Sequence, residues 1–412
     1  MEVIIVNDFC WINGGASYAA IVSARELAER GISVTFFGAV SPITAELIHP
    51  NIRCLSLDQH EILKHPHRIQ AVTQGIYNRK ARRTLQALLA EKDPAQTIIH
   101  VHLISKALSP AVMKLLLDSP FRVVTTLHDY SFSCPNGGFL VHPTTTICHR
   151  KPLSFSCVVC QCDSRNYAHK LWRLTRSFVQ NKIWRVEDRI RFGIFPSRFT
   201  QRILEPYMPH LDISRIVLYP VHAPRLPPAQ PAQGETFAFV GRFAREKGVL
   251  LLAEATRRAR VPVIFIGDGD QILKESITRI NPEARVTGWL PQTEITGMLR
   301  TCRALVMPSL WYETLGLVTV EAMAQGLPVI VPDNCAITEQ VADGTTGLFF
   351  KQGDIEDLVL QIEKLKNPPL AASIGQAAYD WYWNDPWTVQ RHVDALTRIY
   401  DEMLETRTSG TA

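Results

Sequence analysis

The sequence has no apolar run long enough to cross a membrane and no strong excess of charge of either sign. Its uninterrupted apolar stretches fall well short of the roughly 18 residues that a spanning helix needs. The net charge is only +5 over 412 residues, which argues against a nucleic-acid-binding protein. The N-terminus, MEVIIVNDF, has no basic segment followed by an apolar one. We therefore expect no signal peptide and a cytoplasmic protein.

There is also no short-period repeat and no long low-complexity segment. Apolar residues make up 46% of the chain and charged residues 20%, which is typical of a globular protein. The length predicts two domains.

The N-terminal part alternates short apolar runs with helical segments, and this pattern predicts a parallel sheet with crossover helices. A first domain is predicted over 1–215, with a cysteine-rich insert at 134–162. Its predicted strands are 3–6, 33–37, 97–101, 122–127 and, as the last strand, 193–196, with a helix at 17–30.

A proline- and alanine-rich stretch within 216–233 predicts a linker, and the same α/β pattern then restarts over 234–380. Its predicted strands are 236–240, 261–266, 286–288, 304–307 and 329–331. Predicted helices cover 249–258, 294–300 and 317–324. The tail 370–404 is helical with a break near Pro386, and we expect disorder from Thr406. The fold class is therefore α/β, with two doubly wound sheets.

Several polar or glycine-rich groups follow predicted strands, where ligands bind in open α/β sheets. Gly14 and Gly15 follow the first strand, and His128 follows the strand at 122–127. Gly241 begins G-R-F-A-R-E-K-G, in which Arg242 and Lys247 offer the fixed positive charge that a diphosphate requires. The alternative is a basic loop before a helix.

The segment W-Y-E-T-L-G-L-V-T-V-E contains two glutamates, Glu313 and Glu321, with seven residues between them. Thr314 is predicted to cap a helix that begins near Leu315. The backbone N–H groups of 314–317 would then form an anion or sugar site, and Gly316 would allow close backbone approach. Alternatively, Glu321 is a helix carboxylate with a local partner.

These motifs resemble the retaining GT-B glycosyltransferases of family GT4. The resemblance rests on the E-x7-E pair, P-S-L-W-Y-E, A-M-A-Q-G-L-P-V-I-V, G-R-F-A-R-E-K-G, I-G-D-G-D, the H-V-H near His102 and the T-x-H-D at His128. It spans 3 to about 400 and is strongest over 237–350. It implies two Rossmann-like domains facing each other across a cleft, with a C-terminal helix, 381–412, that crosses back to the N-terminal domain.

The resemblance also implies an enzyme that transfers a sugar from a nucleotide-sugar donor with retention of anomeric configuration and without a catalytic metal. In the family, the leaving phosphate takes the acceptor proton in a same-face displacement. The resemblance implies that the catalytic residues are His128, Arg242, Lys247 and Glu313. It implies that the donor is bound by Gly14, Gly15, Gly241, Thr314, Leu315, Gly316, Leu317 and Glu321. The expected acceptor is a bacterial surface glycan, with a lipid-linked form as one possibility.

Five of the nine cysteines lie within 29 residues. We predict that Cys134, Cys148, Cys157 and Cys160 bind a structural Zn²⁺, since C-x2-C is a common zinc half-site and a reducing compartment disfavours disulfides. Cys162, His142 and His149 are alternative ligands, and free thiols are the competing interpretation.

A stretch from Arg165 to Arg191 interleaves basic and aromatic residues. At helical spacing this pattern predicts either peripheral contact with an anionic membrane or a solvated helix face with a packed apolar stripe. Two other functions stay open for the chain as a whole: a nucleotide-sugar epimerase, and an inactive relative that acts as a binding or scaffold protein.

Overall fold

The computed structural model describes residues 1–221 and 223–405, and the chain divides into two compact units. Unit 1 comprises Met1–Gly138, Arg150–Pro220 and the segment that begins at Thr388. Unit 2 comprises Phe139–His149 and Val221–Trp387. The division thus falls at Pro220, and part of the predicted cysteine-rich insert groups with unit 2. The predicted disorder from Thr406 lies outside the described residues.

The secondary structure is that of an α/β protein. The strands are β1 (Glu2–Phe9), β2 (Ser33–Val40), β3 (Ile52–Ser56), β4 (Thr97–Val101), β5 (Arg122–Thr126), β6 (Leu140–Val141), β7 (Thr146–Ile147), β8 (Phe192–Phe195), β9 (Ile213–Ile216), β10 (Phe237–Val240), β11 (Val263–Ile266), β12 (Arg285–Val286), β13 (Ala304–Val306), β14 (Val329–Pro332) and β15 (Leu348–Phe350). The helices are α1 (Gly15–Glu29), α2 (Arg68–Ile76), α3 (Arg79–Ala90), α4 (Pro110–Leu117), α5 (Phe155–Val159), α6 (Tyr167–Phe178), α7 (Val186–Arg189), α8 (Arg198–Leu204), α9 (Val249–Ala259), α10 (Gln271–Ile280), α11 (Gln292–Leu299), α12 (Leu317–Ala324), α13 (Ile355–Leu365), α14 (Pro368–Asn384) and α15 (Val389–Glu405).

Unit 1 is built on a seven-stranded parallel sheet in the order β3-β2-β1-β4-β5-β8-β9. The interior strand β1 is buried from Val3 to Phe9, because helices cover both faces of such a sheet. The prediction that 193–196 is the last strand of this part was wrong, since β9 follows β8 at the edge. The strand β9 has the sequence I-S-R-I, and four residues with two polar side chains give too weak a signal.

The C-terminal helix α15 contributes to the core of unit 1. Its buried Val393, Leu396 and Tyr400 pack with residues of α1 such as Ala20 and Ile21. The predicted break in the tail is confirmed, because α14 ends at Asn384 and α15 begins at Val389. Asp385, the residue before Pro386, has φ −146° and ψ 71°, outside the helical region that the proline ring disfavours.

Unit 2 is built on a six-stranded parallel sheet in the order β12-β11-β10-β13-β14-β15. The chain runs outward from β10 in one direction to β12 and in the other to β15. The strand order therefore reverses between β10 and β13, which is where ligands bind in doubly wound folds. The edge strand β15, L-F-F, was also missed, because a run of three residues is too short to show a strand period.

Much of the predicted linker is attached to unit 2. The backbone N–H of Ala229 donates to Gln325 O at 2.7 Å, and Arg300 donates to Pro227 O at 2.9 Å. The Tyr379 hydroxyl donates to Leu226 O at 2.8 Å. These hydrogen bonds fix a segment whose composition alone indicates a flexible connection.

Across 1–221 and 223–405, none of the helices combines the length and the apolar character needed to cross a bilayer.

Candidate active site

Two loops meet in unit 2 at the point where the strand order reverses. The first follows β10 and runs through Gly241 to Gly248, and the second follows β13 and runs from Met307 to Gly316. Because β10 and β13 are neighbours in the sheet, both loops leave the same edge. Leu310 N donates to Glu246 O at 2.8 Å and holds them together.

Gly248 permits this close approach. Its φ is +70°, and a Cβ atom placed there would lie 1.8 Å from the carbonyl oxygen of Pro308. Only glycine adopts that conformation cheaply and leaves the space free. Gly248 is also the N-cap of α9. The turn therefore places Lys247 just before this helix and beside the second loop.

Lys247 and Glu313 form the centre of the site. Lys247 Nζ lies 2.6 Å from Glu313 Oε1, although the two residues are 66 positions apart in sequence. Ser309 Oγ and Trp311 Nε1 donate to the same oxygen at 2.6 and 2.8 Å. Lys247 Nζ also lies 5.3 Å from the centre of the Trp311 ring, a cation–π contact.

Glu313 is a buried, ionised carboxylate. It is only 5% exposed, and burial alone would raise its pKa. The charge of Lys247 and the hydrogen bonds from Lys247, Ser309 and Trp311 outweigh burial, so the pKa of Glu313 lies below its usual value. Since all three donors reach Oε1, the other carboxylate oxygen has none of these side-chain donors.

Arg242, the other predicted cation, binds a different carboxylate. Its Nη2 lies 2.8 Å from Glu246 Oε1, and its side chain is 68% exposed. The other carboxylate oxygen of Glu246, Oε2, lies 4.0 Å from His142 Nδ1. Arg242 is thus a solvent-facing guanidinium on the same loop as the half-buried Lys247.

The helix of the E-x7-E segment covers the predicted range 317–324, but the prediction that Thr314 caps a helix starting near Leu315 was wrong. The helix α12 begins at Leu317 with Gly316 as its N-cap, in the left-handed conformation and without a side-chain cap. A Cβ atom at Gly316 would lie 2.5 Å from Ile337 Cγ1, so a residue with a side chain does not fit there. The free N–H groups of the first turn are therefore those after Gly316 rather than those of Thr314 and Leu315.

Glu321 lies on α12, one turn beyond its start, and is half-buried. Gln292 Nε2 donates to Glu321 Oε2 at 3.2 Å. Burial raises the pKa of Glu321, and the Gln292 hydrogen bond only partly opposes that effect. Among residues 1–221 and 223–405, Glu321 thus has a neutral side-chain partner, Gln292, and, unlike Glu313, no cation that lowers its pKa.

His128 lies in unit 1, after β5, and is bound on both ring nitrogens. Its Nε2 lies 2.8 Å from His102 Nδ1, and its Nδ1 contacts the Tyr219 hydroxyl. Burial, helped by the charge of His392, lowers the pKa of His128 to about 3. The imidazole is therefore neutral at neutral pH.

Gly14 and Gly15 lie in unit 1 at the start of α1. Gly14 is the N-cap, with φ +98° and no side-chain cap. The glycine-rich turn thus leads directly into a helix, as expected from its place after β1.

Sequence reasoning missed the residues that support the two acid–base groups. Ser309 and Trp311 lie within four positions of Glu313, and His102 and Tyr219 bind His128. Three of them stood within recognised motifs: Ser309 and Trp311 in P-S-L-W-Y-E, and His102 in H-V-H. Their hydrogen bonds could not be read, because these depend on how the loops fold after neighbouring strands.

The cysteine-rich region of unit 1 contains a buried lysine. Lys170 is 1% exposed, and its Nζ lies 3.0 Å from Cys162 Sγ and 3.6 Å from Cys157 Sγ. Burial raises the pKa of Cys162, and Lys170 lowers it in part. All nine cysteines lie within the described residues, and none forms a disulfide. In the same residues no group of three or more His, Cys, Asp or Glu side chains is arranged to hold a metal ion.

The comparisons with known proteins agree with this architecture. Residues 227–381 match the family Glycosyl transferases group 1. The solved structure of sucrose-phosphate synthase from Thermosynechococcus elongatus is similar over 98% of this chain and 100% of that chain, with a TM-score of 0.70 and 18% identity. The structure of Anabaena HepE in complex with UDP and glucose is similar over the same shares, 98% and 100%, with a TM-score of 0.67 and 15% identity.

A sequence relative, sulfoquinovosyl transferase SQD2 of Arabidopsis thaliana, is 35% identical over 158 residues. That match covers 34% of this chain and 30% of the relative, so the chain spans less than a third of that protein. The predicted fold class is confirmed: the two parallel sheets form the GT-B fold of glycosyltransferases. Residues 227–381 carry the domain of the glycosyl transferases group 1 family.

Proposed function

We propose that the protein transfers a sugar from a nucleoside diphosphate sugar to an acceptor. The observation that carries this proposal is the pairing of Lys247 with Glu313 where the strand order of unit 2 reverses. A half-buried ammonium there can meet the charge that develops on the diphosphate as the sugar leaves. Arg242, exposed on the same loop, offers a planar fork for a second phosphate oxygen.

In this proposal Glu313 positions Lys247 and presents its second carboxylate oxygen to the donor sugar. The buried ion pair and the two further donors hold the carboxylate in one orientation, so no reorganisation is needed when the donor binds. The N–H groups at the start of α12 add a site for a phosphate oxygen. Glu321, one turn along the same helix, would accept hydrogen bonds from the ribose hydroxyls.

The stereochemistry and the acceptor are finer parts of the proposal. Retention of anomeric configuration, with the leaving phosphate as the base for the acceptor, is supported by the resemblance to the GT4 family. The neutral His128 can hydrogen-bond a sugar hydroxyl if it exchanges one of its partners. The proposed acceptor is a bacterial surface glycan, including lipid-linked forms.

A structural Zn²⁺ bound by Cys134, Cys148, Cys157 and Cys160 is proposed as well. In the described residues these four thiols are not arranged to hold a metal ion, so the ligands would have to move together on binding. Of the four, only Cys157 lies beside the buried Lys170, whose Nζ is 3.6 Å from its Sγ. Protein purified without chelators is expected to contain about one zinc per chain. Less than about 0.2 zinc per chain would contradict the site.

The donor site is tested by thermal shift with UDP, GDP, ADP, CMP and dTDP. A ligand that binds only the folded protein adds about 2.7 kcal/mol at 100 times its Kd. UDP is the first candidate, because HepE was solved with it. We expect the stabilisation to be lost in Arg242→Gln and in Glu321→Gln.

The matched control is Arg258→Gln, which removes an exposed arginine of the same unit that binds Glu254 and Glu356. This variant should keep the full shift. If no nucleotide stabilises the protein, the donor proposal fails. If a nucleotide binds but the donor sugar is neither transferred nor hydrolysed, the scaffold alternative replaces transfer.

A further inference from the structure

The helix α6 exposes a row of large apolar side chains instead of burying it. Tyr167, Leu171 and Phe178 are all exposed and, at 100° per residue, lie within an arc of roughly 40° on the helix surface. Leu174, which lies about 20° from Tyr167 on the helix surface, is buried at the edge of this row, as are Lys170 and Ser177 farther round the helix. An amphipathic helix ordinarily presents its polar side chains to solvent, so this row requires a partner.

Two neighbouring helices extend the row. On α2, Ile69 is 82% exposed, and on α5, Phe155 is 83% exposed. The helix α2 lies against α6, since Trp172 Nε1 donates to Val72 O at 3.1 Å. The helix α5 is joined to α6 by the Tyr167 hydroxyl, which donates to Val158 O at 2.8 Å.

The segment after α6 continues the surface. Tyr77 and Trp184 make an edge-to-face ring contact at 6.2 Å, which brings the end of α2 beside the exposed Ile183. We call this surface the apolar face. Its members are Ile69, Val72, Tyr77, Phe155, Val159, Tyr167, Leu171, Phe178 and Ile183.

Positive charge outweighs negative charge around the apolar face, although Lys64 pairs with Glu61 and Arg185 pairs with Asp188, both just outside the ranges counted next. Residues 62–90 contain six Lys or Arg and no Asp or Glu, and residues 149–186 contain eight Lys or Arg and one Asp. That one, Asp163, is buried and paired with Arg173. The ten exposed cations of these ranges, here called the cationic rim, are Lys64, Arg68, Arg79, Lys80, Arg83, Arg150, Lys151, Arg165, Lys182 and Arg185.

The structure also changes the interpretation of the basic residues on α6. Lys170 is buried beside thiols, and Arg176 donates to the backbone oxygens of Ser105 and Ile104. These cations serve the interior of unit 1 and are not available to a partner. Attraction to the surface must therefore come from the cationic rim and from the apolar face itself.

We propose that the apolar face docks unit 1 onto an anionic lipid bilayer. The apolar side chains enter the boundary between head groups and acyl chains, and the cationic rim meets the lipid phosphates. A bilayer supplies an apolar interior bordered by negative charge, which is the complement of this surface. The inference does not depend on the proposed transfer reaction, because it concerns a surface of unit 1 and binding without donor or acceptor.

The test is cosedimentation of the full-length protein with vesicles of phosphatidylcholine, with and without roughly one third phosphatidylglycerol. We expect binding to the anionic vesicles and weak binding to the neutral ones. Ile69→Ser and Phe178→Ser should each lower the partition coefficient about tenfold. Arg165→Gln and Lys182→Gln should each lower it roughly fivefold in low salt.

The matched control is Ile48→Ser, which removes another isoleucine of unit 1 that is 72% exposed but does not belong to the apolar face. Its partition coefficient should equal that of the wild type. All of these positions are exposed, so folding should be unaffected, and the melting temperature checks this. The proposal is overturned if the wild type binds neither vesicle, or if Ile48→Ser reduces binding as much as Ile69→Ser. It is also overturned if the wild type self-associates and Ile69→Ser makes it monomeric without changing vesicle binding, since the face would then contact a second copy.

Discussion

Replacing Lys247 by methionine is expected to lower kcat/KM for sugar transfer about thousandfold, because the proposed charge stabilisation of the leaving diphosphate is lost. The same change should lower the free energy of unfolding by about 2 kcal/mol. It leaves the carboxylate of Glu313 buried without its cation, and an uncompensated buried charge is costly. Transfer kinetics and urea denaturation measure the two effects.

The loss of stability should depend on pH. In the wild type the pKa of Glu313 lies below its usual value of 4.5, so its contribution is present above that pH and is lost as pH falls through the lower, folded-state pKa. Without Lys247, burial would raise the pKa instead. The difference in stability between wild type and variant should therefore be large at neutral pH and shrink in acid.

Two further variants distinguish the loss of activity in Lys247→Met from its loss of stability. Lys247→Met combined with Glu313→Gln removes both charges and should recover most of the stability but none of the activity. Lys274→Met removes a lysine of the same unit that pairs with an exposed aspartate, Asp268, and should change neither measurement appreciably. Full activity in Lys247→Met would contradict the proposed role of Lys247.

Replacing Gly248 by alanine is expected to cost about 3 kcal/mol of stability and to reduce kcat about a hundredfold. The new Cβ atom would lie 1.8 Å from Pro308 O, and φ is +70°, so both strain and overlap are introduced. The backbone at either Gly248 or Pro308 must therefore move. Since Lys247 directly precedes Gly248, its side chain would be displaced as well. A displacement of about 1 Å at a reacting group costs on the order of a hundredfold in rate.

The control is Gly344→Ala in the same unit. Gly344 has a similar φ of +73°, but a Cβ atom there has no neighbour within 4 Å. Its cost should be about 1 kcal/mol, the strain of the left-handed conformation alone, with normal activity. Equal losses in the two variants, measured by urea denaturation, would show that the contact with Pro308 is unimportant.

Local signals in the sequence were enough to predict most of the long buried strands and the chemistry of the motifs. Apolar runs such as that of β1 mark strands buried on both faces, and Pro386 breaks the tail helix, because both signals are local. The E-x7-E pair and the basic glycine-rich loop predict where a donor would bind, and that prediction awaits the nucleotide-binding test. The edge strands β9 and β15 escaped, since a run of three or four residues has no readable period.

Which side chains contact each other depends on the packing of strands and helices that are distant in sequence. Lys247 and Glu313 contact each other because β10 and β13 are adjacent in the sheet, a relation that no spacing in the sequence reveals. The close contact with Ile337 likewise requires a glycine at the N-cap of α12, which is Gly316 rather than Thr314. Tertiary packing also determines the environment of the side chains of α6. Lys170 and Arg176 contact the interior of unit 1, whereas Leu171 and Phe178 are exposed to solvent. Hydrophobic patterning predicts an amphipathic helix there, but the neighbouring helices determine which side chains are exposed.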